Sequence, residues 1–190
     1  IRDCAPESHA KKSGTPTTGG VFIVGSALIA AIIALVMAQK LTTLACLLLM
    51  TFVFYMFAGL MDDIIKIKGH HNEGLTPRRK LFLQIAIALL PALYMTVTKE
   101  TYLAVGDWMF DLGWFYPVFA VFLMVGVSNA VNLTDGLDGL AASNVIVSMI
   151  ACVILALFSG NVDIAIIAAA ICGAVAGFLY FNKYPAKVFM

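Results

Sequence analysis

Long apolar runs alternate with short polar breaks along this chain, and the pattern sets the expected elements. After a polar opening over 1–18, six apolar stretches lie at about 20–39, 41–61, 80–98, 115–131, 140–159 and 162–181. Each has roughly the 17–21 residues with which a helix crosses the hydrocarbon core of a bilayer. The breaks at 40 and 160–161 are so short that the helices flanking them must run antiparallel. The break at 99–114 is longer, and Gly106-Asp107 between aromatic and β-branched residues predicts a small hairpin there. The expectation is an all-α protein, a polytopic transmembrane helix bundle with six spans in one integral membrane domain over 1–190.

Composition points the same way. Apolar residues make up 62% of the chain and charged residues 12%, against roughly 45–50% and 25% in soluble domains. The formal net charge of +1 carries no message about partners, and without a basic patch no nucleic acid is expected. Cys4, Cys46, Cys152 and Cys172 are scattered without metal-ligand spacing, which suits packing. Placement of the basic residues sets orientation. With the N-terminal tail on one side, that side receives Arg2, Lys11, Lys12, Lys66, Lys68, Arg78, Arg79, Lys80, Lys183 and Lys187, and the other only Lys40 and Lys99. The rich side is expected to be cytoplasmic. In the last run Ala165, Ala169, Gly173 and Gly177 fall four apart, a small-residue stripe expected to pack against another helix.

Candidate chemistry gathers on the basic side. Asn129, Asn132, Asp135 and Asp138 recur every third position, a spacing that drifts about 60° per step on a continuous helix. Gly136 and Gly139 predict a break instead: a helix ending near Asn132, a tight turn, and a new helix near Leu140. Such a break would aim two amides and two carboxylates at one point. Asp62-Asp63 stands where the second run leaves the membrane, followed by Lys66 and Lys68. The Lys11-Lys12…Thr15-Pro-Thr-Thr-Gly-Gly20 stretch offers cations and free amides before a helix, a setting that suits phosphate. His70-His71 lacks a third ligand nearby and reads as a solvated loop. Four acids around one cytoplasmic site would repel phosphate unless Mg²⁺ stood between them. Acids, cations and a membrane surface together suggest phosphoryl transfer involving a lipid phosphate.

Four motifs then carry a resemblance. Lys-Ser-Gly-Thr-Pro-Thr-Thr-Gly-Gly (12–20), Met-Asp-Asp-Ile-Ile-Lys (61–66), Asn-Ala-Val-Asn-Leu-Thr-Asp-Gly-Leu-Asp-Gly-Leu-Ala (129–141) and Phe-Asn-Lys-Tyr-Pro-Ala-Lys-Val-Phe-Met (181–190) stand in one order. In that order they resemble the polyprenyl-phosphate N-acetylhexosamine-1-phosphate transferases, and the Thr-Pro-Thr-x-Gly-Gly form resembles their muramoyl branch. The resemblance implies transfer of phospho-MurNAc-pentapeptide from UDP to undecaprenyl phosphate, giving lipid I and UMP for peptidoglycan synthesis at the bacterial inner membrane. It implies Mg²⁺ as cofactor, UDP-MurNAc-pentapeptide and undecaprenyl phosphate as partners within the bilayer, and a homodimer as a further candidate assembly. Direct attack and an aspartyl-phosphate route both fit the residues. A sister transferase using another UDP-amino sugar is the alternative, and an ion-coupled transporter the rival of another class.

Site roles follow from the same resemblance. Asp62 is expected to deprotonate or orient the lipid phosphate, with Asp63 and Lys66 beside it. Asn132, Asp135 and Asn182 are expected to line the nucleotide-sugar cleft, Asp138 to read uracil and Phe189 to stack on it. Lys12 and Thr15 match the edge of the uridine pocket. Members of the resembled family have about ten spans, so one is expected before Ile1 and three after Met190, together with the principal magnesium aspartate.

Overall fold

Each apolar run folds as a helix whose ends are set by local chemistry. The computed structural model describes residues 19–69 and 74–189. The helices are α1 (Gly19–Met37), α2 (Thr43–Gly69), α3 (Pro77–Val97), α4 (Tyr116–Thr134), α5 (Leu140–Phe158) and α6 (Val162–Asn182). All six are long and apolar enough to cross a membrane. Pro77 opens α3 at its first turn, where a missing N–H costs nothing. Asp135 ends α4, and Gly139, at φ +76°, bends the backbone into α5. That left-handed position suits glycine, and a side chain there would also press on Leu179.

One boundary moves well past its expectation. The second run was expected to end at 61, but α2 continues to Gly69. Lys66 reaches back one turn to both Asp62 and Asp63, at i−4 and i−3. Those pairs let a charged turn continue the helix out of the apolar layer.

The break at 99–114 does hold a hairpin. β1 (Tyr102–Val105) pairs antiparallel with β2 (Trp108–Asp111) around Gly106-Asp107. The Asp111 carboxylate, at the foot of the hairpin, accepts from the Thr101 hydroxyl and the Gly113 N–H. Both bonds favour the ionised form and hold its pKa below the ordinary aspartate value.

Packing is built on small residues and divides into two levels. At the hairpin end, Ala31 and Leu35 of α1, Ala45 and Leu49 of α2, and Ile167 of α6 form one cluster. At the other end, Ile23, Ala142, Val175 and Phe178 join α1, α5 and α6. The hydroxyl of Thr42 donates to Asp163 at 2.6 Å and ties the start of α2 to the start of α6. Large apolar side chains such as Phe22, Phe122 and Phe158 point outward, as lipid contact allows.

Among the described residues, the expected stripe on α6 is not the packed face. Ala165 is buried, but Ala169, Gly173 and Gly177 are exposed, and a Cβ at either glycine would meet nothing within 4 Å. The face of α6 that does pack carries Ala165, Ala168, Val175, Phe178 and Asn182. Its neighbours α5 and α1 approach from that side.

Candidate active site at one end of the bundle

The antiparallel course brings the ends of α2, α4 and α6 and the starts of α1, α3 and α5 to one end of the bundle. Asp62 is the buried acid there. One of its oxygens lies 2.7 Å from Lys66 Nζ, and the other accepts the Leu75 N–H at 2.7 Å. Lys66 also sits 3.2 Å from Asp63, so the two adjacent acids share one cation rather than serving separate partners. Charge sharing relieves the repulsion that adjacent carboxylates would otherwise feel.

The loop before α3 reaches Asp62 only because residue 74 is glycine. A Cβ on Gly74 would overlap the Asp62 carboxylate and crowd Lys66 Cε. Gly74 and Leu75 therefore form a backbone latch over the acid.

Next comes a polar ladder between α3 and α4. Lys80 Nζ donates to Asn132 Oδ1 at 3.4 Å. One turn deeper, Asn129 Nδ2 donates to Gln84 Oε1 at 2.9 Å, and Gln84 Nε2 reaches Ser128 Oγ at 3.4 Å. Tyr55 of α2 donates to the Gln84 carbonyl at 3.3 Å. Asn129 and Asn132 thus share a helix face and fix the register of α3 against α4.

The second half of this end is clipped by Asn182, which is buried. Its Oδ1 accepts the Gly139 N–H at 3.0 Å, and its Nδ2 donates to the Val188 carbonyl at 2.9 Å. Asp138 Oδ2 accepts the Ala186 N–H at 3.1 Å. Gly19 N–H donates to the Phe189 carbonyl at 3.1 Å, and any side chain at Gly19 would strike Phe178 and that carbonyl. The segment 183–189 is therefore tied to the 135–139 turn and to the start of α1.

The four residues expected to converge are held by different elements. Asn129 and Asn132 turn to α3, whereas Asp138 turns to the segment after α6. The helix stops before Asp135, so the shared face ends with Asn132. Asp135 caps the end of α4; the residue is exposed, but protein packed about its carboxyl pushes the pKa up. Lys12, Thr15 and His70-His71 lie outside the described residues. Among the described residues no three acid, histidine or cysteine side chains gather closely enough to hold a metal ion. The acids in place do not by themselves fit a complete magnesium site, because Asp62 and Asp63 already share Lys66.

Residues 43–190 match the family model described as glycosyl transferase family 4. The chain belongs to glycosyl transferase family 4. Among curated relatives, a protein of Bacillus licheniformis named phospho-N-acetylmuramoyl-pentapeptide-transferase is 46% identical over 193 residues. Proteins of the same name from Geobacillus kaustophilus and Bacillus subtilis are each 45% identical, over 193 and 196 residues. All three alignments take in the whole of this chain and 60% of the relative, so the chain spans about 60% of the length of these relatives.

Within this family 4 chain, several site residues lay beyond the sequence reading. In the sequence Lys80 is one basic residue among several, whereas Gln84, a glutamine inside an apolar run, is itself a signal. Gly74, Leu75 and Ala186 act through backbone and carry no side-chain signal.

Proposed function

We propose that the protein transfers phospho-MurNAc-pentapeptide from UDP to undecaprenyl phosphate, forming lipid I and releasing UMP. An oxygen of the lipid phosphate attacks the β-phosphorus of the nucleotide sugar. The new P–O bond forms as the bond from that phosphorus to the bridging oxygen breaks, and the bridging oxygen leaves with UMP. The observation that carries the reading is Asp62: a buried carboxylate held between Lys66 and a backbone N–H, at a bundle end lined with further cations. Arg78, Arg79 and Lys80 stand at the start of α3, at the same end of the bundle as Asp62. The names of the relatives support the choice of reaction.

In this reading Asp62 orients or deprotonates the lipid phosphate, Asp63 keeps Lys66 in reach of it, and Lys66 screens phosphate charge. Asn132 and Asp135 face the sugar diphosphate. Asp138 and Phe189 receive uracil, with Asn182 shaping their segment and Lys12 and Thr15 at the pocket edge. Magnesium would supply charge neutralisation of the pyrophosphate, with its principal ligand outside the described residues. The site faces the cytoplasm of a bacterial inner membrane, as the basic residues at this end favour, and a homodimer is the proposed assembly.

The test is product analysis with the full-length protein in detergent, with undecaprenyl phosphate and either UDP-MurNAc-pentapeptide or UDP-GlcNAc. UMP release with the muramoyl donor alone is expected. Release with UDP-GlcNAc alone would move the protein to a sister activity, and release with neither would overturn the reading.

A further inference from the structure

The hairpin at the opposite end of the bundle has two unlike faces. Directly paired residues of an antiparallel ladder project to the same side. The pairs Leu103↔Phe110 and Val105↔Trp108 therefore form one face, and Tyr102↔Asp111 and Ala104↔Met109 the other. The first face is wholly apolar, yet its residues are 36%, 49%, 58% and 72% exposed for Leu103, Phe110, Val105 and Trp108. The Trp108 and Phe110 rings stack at 6.4 Å and make its surface continuous. The second face holds the Asp111 carboxylate, fastened by Thr101 and Gly113.

We propose that the apolar face of this hairpin lies on the bilayer, in the headgroup layer at the end of the bundle opposite Asp62, and anchors the α3–α4 connection there. The short connections that hold the hairpin between the ends of two membrane-spanning helices commit the face to this occupant. Val97 at the end of α3 and Trp114 and Phe115 just before α4 are strongly exposed, so apolar surface flanks the hairpin at both its roots, with the exposed Thr98, Lys99 and Glu100 between Val97 and β1. Tryptophan is suited to this depth because its ring is apolar and its indole N–H can stay hydrated. A strand pair with every position exposed has too little packing of its own to stay ordered in water. Contact with lipid supplies the missing partner for one face while the exposed Asp111 carboxylate keeps the other toward water. The anchor does not depend on the reaction proposed above.

Single nitroxide labels test it in the full-length protein, with its cysteines replaced by serine, reconstituted in phosphatidylglycerol–phosphatidylethanolamine vesicles. Leu103→Cys, Val105→Cys and Phe110→Cys report one face, and Ala104→Cys and Met109→Cys the other. Power saturation compares collisions with oxygen, which concentrates in lipid, and with a nickel chelate, which stays in water. The expected result is a shift toward oxygen at 103, 105 and 110 and toward nickel at 104 and 109, alternating with the strand period. Low collision rates with both reagents at 103, 105 and 110 would place another protein surface over the face and overturn the proposal. Nickel dominance at all five positions would leave the hairpin in water and overturn it equally, and uniform oxygen dominance would overturn the assignment of faces.

Discussion

Removing the side chain of Asn182 should release the segment after α6 without unfolding the bundle. The carboxamide is buried and makes two bonds, accepting from Gly139 N–H at 3.0 Å and donating to the Val188 carbonyl at 2.9 Å. In Asn182→Ala the Gly139 N–H is left unpaired in a buried place, at about 1–3 kcal/mol, and the Val188 bond is lost at about 0.5–1.5 kcal/mol net. Together these weaken the clip by about 2–4 kcal/mol, which is roughly a 30- to 1000-fold increase in local opening. Hydrogen exchange read by mass spectrometry on the full-length protein measures that opening directly. Protection should fall by about that factor in peptides covering 135–141 and 183–189, and stay unchanged in α2 and α3. Asn182→Asp separates the two bonds, since a carboxylate still accepts from Gly139 but turns a lone pair toward the Val188 carbonyl. Its loss of protection should centre on 183–189. Unchanged exchange in both peptides of Asn182→Ala would refute the clip, and an equal rise across all six helices would make Asn182 a general stability residue instead.

Other outcomes follow from the same geometry. Asp62→Asn in the full-length enzyme should cut turnover far more than UDP-sugar binding, compared by product formation and calorimetry; equal losses would take Asp62 out of the chemistry. Gly74→Ala should lower the thermal midpoint, at a cost of about 1–3 kcal/mol for the overlap with Asp62, and slow turnover by opening the latch; an unchanged midpoint would mean that the loop yields freely. The depressed pKa of Asp111 contributes stability to the hairpin above the unfolded value of about 3.9, lost as pH falls through the lower folded value. Thr101→Val should bring the Asp111 titration up toward the ordinary aspartate value, observed by NMR on the labelled carboxyl. Cysteine labelling of intact cells from outside should reach position 106 and spare position 136, and labelling at 136 would invert the orientation.

The sequence spoke clearly where length or turn chemistry sets the outcome. Six apolar runs could hardly be anything but spanning helices, and Gly106-Asp107 marked the hairpin because its first turn position takes a positive φ, +61° at Gly106. Gly139, at φ +76°, announced the break between α4 and α5 for the same reason. Packing was less legible. The four-residue spacing from Ala165 to Gly177 picked out a face by composition alone, whereas α5 and α1 selected the neighbouring one through Ala168, Val175 and Phe178. The overrun of α2 was hidden because a run of acids and lysines reads as solvated surface until Lys66 is seen to pair backward. Backbone partners such as Leu75 and Ala186 leave no pattern in a string of letters.

The division of the site into two clipped halves has a consequence for biogenesis. The Asp62 half draws its contacts from α2, the loop before α3, and α4, so it can close once Asn132 has left the ribosome. The other half needs Asn182 and residues 186–189, translated some fifty residues after the 135–139 turn that they hold. During synthesis the turn must therefore wait, unclipped, while α5 and α6 enter the membrane. Inserting the chain and completing the site are thus separate events in time, and a ribosome stalled between α4 and α6 would hold a protein with its acid latch closed and its second clip still unmade.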